Sequence, residues 1–167
     1  MTRKKSLSML LALVALLLVL TACEKEIIED DDAQEPAATT HAVSTIEKAR
    51  AKSVAEVLQM EDGSEVCIKA YIVGSTTRSM SNFDHTSPFT GSTAIVLADF
   101  PADGSVVIYD DEVMPVCLTD CSKKIRAALN LEDNPQLWNR QIYITATKGT
   151  YLRVSGLRKV KEYELSR

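Results

Sequence analysis

Four cysteines and two histidines carry the most reactive side-chain chemistry in this sequence, and their spacing sets what that chemistry could be. Cys23 stands alone near the N-terminus, far from Cys67, Cys117 and Cys121. Cys117 and Cys121 are close enough in sequence for a local disulfide, provided their Cα atoms approach within about 7 Å. The alternative is three free thiols acting as small apolar residues. In an exported chain an odd set of three leaves one cysteine unpaired in any case. Strand alternation puts Cys67 and Cys117 on the sides opposite Val66 and Val116, which argues against a bond through the middle of the fold. Cys117, Cys121 and His85 lack a fourth ligand and the paired spacing of a zinc site, so no metal is expected.

His85 has Ser79, Ser81 and Ser87 nearby in sequence, which is the minimum for a serine nucleophile with a histidine base. Serines are so common in this stretch that chance explains the match, and no catalytic residue or enzymatic activity is expected. Asp99, Asp103, Asp110, Asp111 and Glu112 offer hard oxygen ligands without the EF-hand spacing, and read as solvated turn carboxylates. No glycine-rich phosphate loop is present, so no cofactor is expected.

The segment carrying Cys23 has its own logic. Arg3, Lys4 and Lys5 precede an apolar run from Met9 to Leu20, and Leu20, Thr21, Ala22 and Cys23 close it. This is a charged start, an apolar centre and a small-residue cleavage site. The run is about a dozen residues, short of the ~20 needed to span a bilayer core, so it reads as a removable signal. Its ending resembles the lipobox of bacterial lipoproteins, which implies that Cys23 is acylated and becomes the first residue of the mature chain. An ordinary secretory signal with a coincidental cysteine is the alternative.

Residues 23–52 then form a tether without apolar periodicity, opening with Glu24, Glu26, Glu29 and Asp30 to Asp32. That acidic start resembles the surface-export signal of lipoproteins in the Bacteroidota; a charged, solvated spacer is the plainer reading. Either way the expected address is the cell envelope, lipid-anchored in the outer membrane, facing the periplasm or the surface.

Removing residues 1–22 takes three of the 19 basic residues and none of the 23 acidic ones, leaving a net charge of about −7. The part from Ser53 onward is nearly balanced. Nucleic-acid binders carry a clustered positive footprint, because phosphate neutralisation dominates their affinity. The best such cluster is Arg140, Lys148, Arg153, Arg158, Lys159 and Lys161, which a solvated strand face explains equally well.

Residues 53–167 suit one domain with one core. Ser53 and Glu56 have capping-box spacing ahead of Val54, Val57 and Leu58, so a short helix is expected there, ended by Asp62 and Gly63. A first strand over 66–73 points Val66, Ile68, Ala70 and Ile72 inward and stops at Gly74. A long loop over 75–92, strands over 94–98 and 113–118, and a short extension at 106–109 follow. Pro115 implies an edge or a bulge. A helix capped at Thr119 or Asp120 carries Ile125, Ala128 and Leu129, and ends at Asn130 with Asp133, Asn134 and Pro135. Strands over 141–147 and from Tyr151 flank a tight turn at Lys148, Gly149 and Thr150, with a bend at Ser155 and Gly156.

The predicted fold is therefore mainly β. It is a five-stranded OB-fold-like barrel with a helix between its third and fourth strands and a short N-terminal helix. The run from Lys69 to Gly74, the strand from Ile95 to Asp99, Leu129, Asn130 and Leu131 before Asp133, Asn134 and Pro135, and the ending Val154 to Leu157 carry a further likeness. Over most of residues 53–165 the chain resembles an OB-like domain of unknown function found in Bacteroidota lipoproteins and secreted proteins. It departs where that pattern has glycine, at Ala70 and near Arg153. The resemblance implies a fold and a cellular setting, and no activity.

OB barrels bind along their second and third strands and the loops beside them. Here that surface would hold Phe83, His85 and Phe89 from the long loop, with Tyr151 and Arg153 beside the hairpin. Aromatic faces stack on sugars or bases, and an arginine adds hydrogen bonds or a cation–π contact. Phe83, Phe89 and Trp138 have a packing alternative, as pins for the loop. The expected function is a non-enzymatic, envelope-anchored binding or adaptor module for a glycan or an envelope protein. A single-strand nucleic-acid binder and a hydrolase using the 75–92 loop are the alternatives.

Overall fold

The computed structural model describes residues 42–102 and 112–166. The expected leader, Cys23, His41, the expected extension at 106–109 and Asp103, Asp110 and Asp111 lie outside the described residues.

Two short helices open the described chain. α1 (Thr45–Ala49) and α2 (Val54–Leu58) each begin with a complete capping box, Ser44 with Glu47 and Ser53 with Glu56. The second is the expected helix, with Val54 and Val57 fully buried. The first lies in the stretch assigned to the tether. Val43 is buried there, Lys48 pairs with Glu164 at 2.5 Å, and Lys52 joins the edge of the first strand beside Ile68. Residues 43–52 thus carry a capped helix and a buried valine docked on the domain.

The strands are β1 (Glu65–Thr77), β2 (Ser79–Asp84), β3 (Ala94–Ala98), β4 (Val113–Cys117), β5 (Gln141–Tyr151) and β6 (Val154–Leu165), with α3 (Lys123–Leu129) between β4 and β5. They form one mainly β sheet in the order β2-β1-β3-β4-β6-β5, and β1 also pairs with β5. Five strands are thereby joined in a ring of hydrogen bonds, with β2 attached outside it. The first half of β1 pairs with β5 over Glu65 to Tyr71, and the second half with β3 over Tyr71 to Thr76.

The expected inward set holds: Val66, Ile68, Ala70 and Ile72 are all buried, as are Ile95, Leu97, Met114, Ile142, Ile144 and Leu157 from the other ring strands. Burying each aliphatic side chain of this size contributes about 1.5–3 kcal/mol. Ile125 and Leu129 of α3 complete the core. Asn130, 3% exposed, ends α3 by donating to the Arg126 and Ala127 carbonyls and accepting from the Asp133 amide at 2.9 Å.

Several boundaries move from their sequence expectations. β1 does not stop at Gly74. A bulge between Ile72 and Gly74 flips the alternation, and the strand continues to Thr77. The long loop over 75–92 is therefore partly a β1–β2 hairpin. Glycine is required at 74 because β2 crosses directly over it, and a Cβ there would meet the Asp84 carbonyl and the Phe83 ring.

Ser122, not Thr119 or Asp120, caps α3 by accepting from the Ile125 amide. Lys148, Gly149 and Thr150 are strand and not turn. The hairpin turns at Leu152 and Arg153, both with positive φ, the pattern of a two-residue type I′ loop. The resembled pattern has glycine near Arg153, and a non-glycine residue in this left-handed region costs on the order of 1 kcal/mol. Ala70, the other departure, is an inward strand residue opposite Ile142 with no unusual backbone.

The expected bend at Ser155 and Gly156 lies farther on. Gly156 pairs regularly with Gly149, and the register shifts where Thr145 faces Glu162 and Thr147 faces Arg158, around Lys159 at φ 52°. Pro115 is likewise not on an edge. β4 has neighbours on both sides, but its parallel contact with β6 is the single pair Val116 and Leu157. That pairing makes no demand on the missing Pro115 N–H.

Candidate binding surface

The residues singled out for ligand contact fall into three places. Phe83 and His85 stay together at the end of β2, their ring centroids 6.0 Å apart and tilted by 58°. His85 is exposed, and Phe83 is half-buried against an outer apolar cluster of Val73, Val96, Ala98, Ala102 and Val113. Exposed Ser81 and Asn82 precede them on the same strand. Asn82 donates to the Thr77 carbonyl at 2.9 Å, and Asp84 accepts from the Thr90 hydroxyl at 2.7 Å, so this hairpin is held to its own base. No hydrogen bond among the described residues joins His85 to Ser79, Ser81 or Ser87; Ser81 donates to Ser79 instead.

Phe89 does not lie on that surface. It is 6% exposed, belongs to the main core and packs against Trp138 at 6.3 Å. Trp138 in turn donates its indole N–H to the Val73 carbonyl at 3.1 Å. Phe89 and Trp138 are the pins of the long loop, so the packing alternative describes them both.

Tyr151 ends β5, half-buried, with its hydroxyl donating to the Thr93 carbonyl at 3.4 Å. Burial, helped by the neighbouring Cys117, pushes its pKa up to about 12. Arg153 is exposed on the turn. The outer side of β3 and β4, where an OB barrel would present its ligand face, is buried throughout: every residue of both strands is covered. The accessible part of the expected surface reduces to β2 and the β5–β6 turn.

The cysteines lie at a different place. Cys67, Cys117 and Cys121 are free thiols. Cys117 Sγ is 3.2 Å from the Thr119 hydroxyl, and Cys121 Sγ donates to the Cys117 carbonyl at 3.0 Å. Burial pushes the Cys121 thiol up to about 12 and also raises Cys67. Next to them, Asp120 accepts from Arg158 Nε at 2.8 Å and from the Lys159 amide at 3.2 Å. Burial works to raise the Asp120 pKa, but these hydrogen bonds outweigh it and hold the carboxyl below its ordinary value.

A depressed carboxyl stabilises the fold fully above its unfolded value and loses that contribution as the pH falls through the folded one. The stability difference between the natural chain and Asp120→Asn should be constant from about pH 5 to 7 and shrink below about pH 4. Urea unfolding across that range checks it, and a pH-independent difference would remove the assigned role.

Sequence reasoning missed two carboxylates. Asp99, read as a solvated turn residue, accepts from the Val54 amide at 2.6 Å and the Ala55 amide at 3.0 Å, so it fastens the start of α2 to the end of β3. Asp120 was read only as a helix cap. Each partner is remote in sequence, and no spacing rule reaches it. Three of the six residues of the basic set are paired with carboxylates. Lys148 is 6% exposed and pairs with Asp62 at 3.1 Å, Arg158 pairs with Asp120, and Lys161 pairs with Glu65. Among the described residues, no group of three His, Cys, Asp or Glu side chains could hold a metal ion. No helix among them is long and apolar enough to cross a membrane.

A family model described as a domain of unknown function (DUF6359) matches residues 52–166. No curated protein and no solved structure matches the chain.

Proposed function

The chain belongs to that family of domains of unknown function, and on this footing we propose that it is a lipoprotein of the bacterial cell envelope, acylated on Cys23, that works as a binding or adaptor module. Its ligand is a glycan or another envelope protein, and it performs no chemistry on it. The Bacteroidota setting and outer-membrane placement follow from the lipobox-like ending and the acidic tether. The ring order β1-β3-β4-β6-β5, with one parallel junction, supports reading the fold as an OB-like barrel extended by β2.

The observation that carries the proposal is the Phe83 and His85 pair on β2, flanked by exposed Ser81 and Asn82. An aromatic face beside short hydrogen-bonding side chains suits a sugar ring or a peptide edge. The pairing of Lys148, Arg158 and Lys161 with carboxylates weighs against a nucleic-acid strand, which needs unpaired cations.

A glycan array together with a crosslinking pull-down from intact cells tests the reading. Saturable binding is expected, little changed by moderate salt and weakened roughly tenfold by His85→Ala, the loss of one aromatic contact. Steep loss of binding with salt would favour a single-stranded nucleic acid. No saturable partner in either assay, or one indifferent to His85→Ala and Phe83→Ala, would end the proposal for this surface.

A further inference from the structure

We propose that Cys117 and Cys121 form a disulfide across the turn between β4 and α3, and that this bond braces the junction of β4 with β6. The argument starts from the weakness of that junction. Every other join in the ring is an antiparallel ladder of several residues, whereas β4 and β6 share only Val116 and Leu157. What supplements the pair is the turn after β4, whose Asp120 holds Arg158 and the Lys159 amide of β6. The two cysteines bracket that turn.

Their contacts place both cysteines in one turn. Cys121 Sγ is already 3.0 Å from the Cys117 carbonyl, and Cys117 Sγ is 3.2 Å from Thr119 within the same turn. Asp120 touches both sulfurs: its carboxylate is 3.9 Å from Cys121 Sγ, and the Cys117 thiol lies near enough to lower its pKa. Cys67 is on another face, in β1 opposite Thr145, and stays reduced.

The chemistry is exchange with an external disulfide. Cys121, the more accessible sulfur, attacks it as the thiolate and releases one thiol; Cys117 then attacks the Cys121 sulfur of the mixed disulfide and releases the second. The two cysteine protons end on the two released thiols, two electrons pass to the oxidant, and one S–S bond forms in the protein. Burial disfavours the Cys121 thiolate, so the exchange is slow. For the same reason the reduced form gains nothing from ionisation, which is the character of a structural and not a catalytic disulfide.

The inference needs export only for the protein to meet an oxidant in the cell, and the test is independent of export and of any ligand. Full mature chain, equilibrated with oxidised glutathione, is unfolded, alkylated and mapped by mass spectrometry. The expected result is alkylation at Cys67, and at Cys23 where it carries no acyl chain, with a Cys117–Cys121 peptide two hydrogens lighter than its reduced form. Hydrogen exchange at Leu157 to Val160 should then be several-fold slower than in the same protein treated with dithiothreitol, a comparison that needs no variant. Alkylation of Cys117 and Cys121, or a bond from either of them to Cys67 or Cys23, overturns the proposal. A Cys117–Cys121 bond with unchanged exchange at those amides overturns its bracing role.

Discussion

Gly156→Val should lower the stability of the fold by about 3 kcal/mol or more, a large share of the roughly 5–15 kcal/mol available to a domain of this size. The expectation comes from β4 passing against β6. A Cβ at Gly156 would lie 2.7 Å from the Pro115 carbonyl oxygen and 3.1 Å from Tyr151 Cβ. One contact is strand backbone and the other is the root of a half-buried side chain, so neither can swing aside. The junction held by Val116 and Leu157 must open to admit the side chain. Gly149→Val supplies the control. Gly149 faces Gly156 across the β5–β6 ladder, but its added Cβ meets only Arg158 Cδ at 3.8 Å, and a β-branched residue suits a strand. Urea unfolding followed by the fluorescence of the single tryptophan, Trp138, measures both. Equal midpoints for the two variants would show that the junction does not depend on a bare backbone at 156.

Cys23→Ser should move the protein almost completely from the membrane fraction to the soluble one. Under the proposed anchoring, acyl chains on Cys23 are the only link to the lipid. Each buried methylene contributes about 0.8 kcal/mol, so several chains hold firmly where one would be marginal. No helix among the described residues is long and apolar enough to span a bilayer. Metabolic labelling with an alkyne fatty acid, followed by fractionation, reads both halves of the claim. A serine variant that stays in the membrane fraction would assign retention to something other than lipid. An unlabelled but secreted natural chain would leave Cys23 as an incidental residue after an ordinary signal.

How far the sequence reaches into this fold depends on how local each determinant is. The Ser53 and Glu56 cap, the inward set from Val66 to Ile72 and the limits of β3 are all written within a few residues, and the structure has each of them. β2 was unreadable because Ser79, Ser81 and Asn82 are poor strand formers, and the strand exists only because β1 runs on past Gly74 to receive it. The β5–β6 turn was placed too early because Gly149 is a stronger turn signal than Leu152 and Arg153. The ladder between Gly149 and Gly156 overrides that local preference. For the candidate surface, the Phe83 and His85 pair is legible as neighbours in one segment, and the packing of Phe89 and Trp138 is legible for each singly, but not their contact with each other. Asp99 and Asp120 gave no sign of their amide partners, because a carboxylate's partner is fixed by the completed fold and not by its own neighbours.

The pairing of β1 with β5 sets a rule for how the chain can be delivered. Glu65 must find Thr147, and Tyr71 must find Gln141, so the first ring strand has no partner on that edge until nearly the whole sequence is present. A nascent or translocating chain that emerges from its N-terminus holds β1 with that edge open while everything up to β5 is still arriving. Long-range pairings of this kind fold late and slowly. Under the proposed export, the ring would close only when its last strands have crossed.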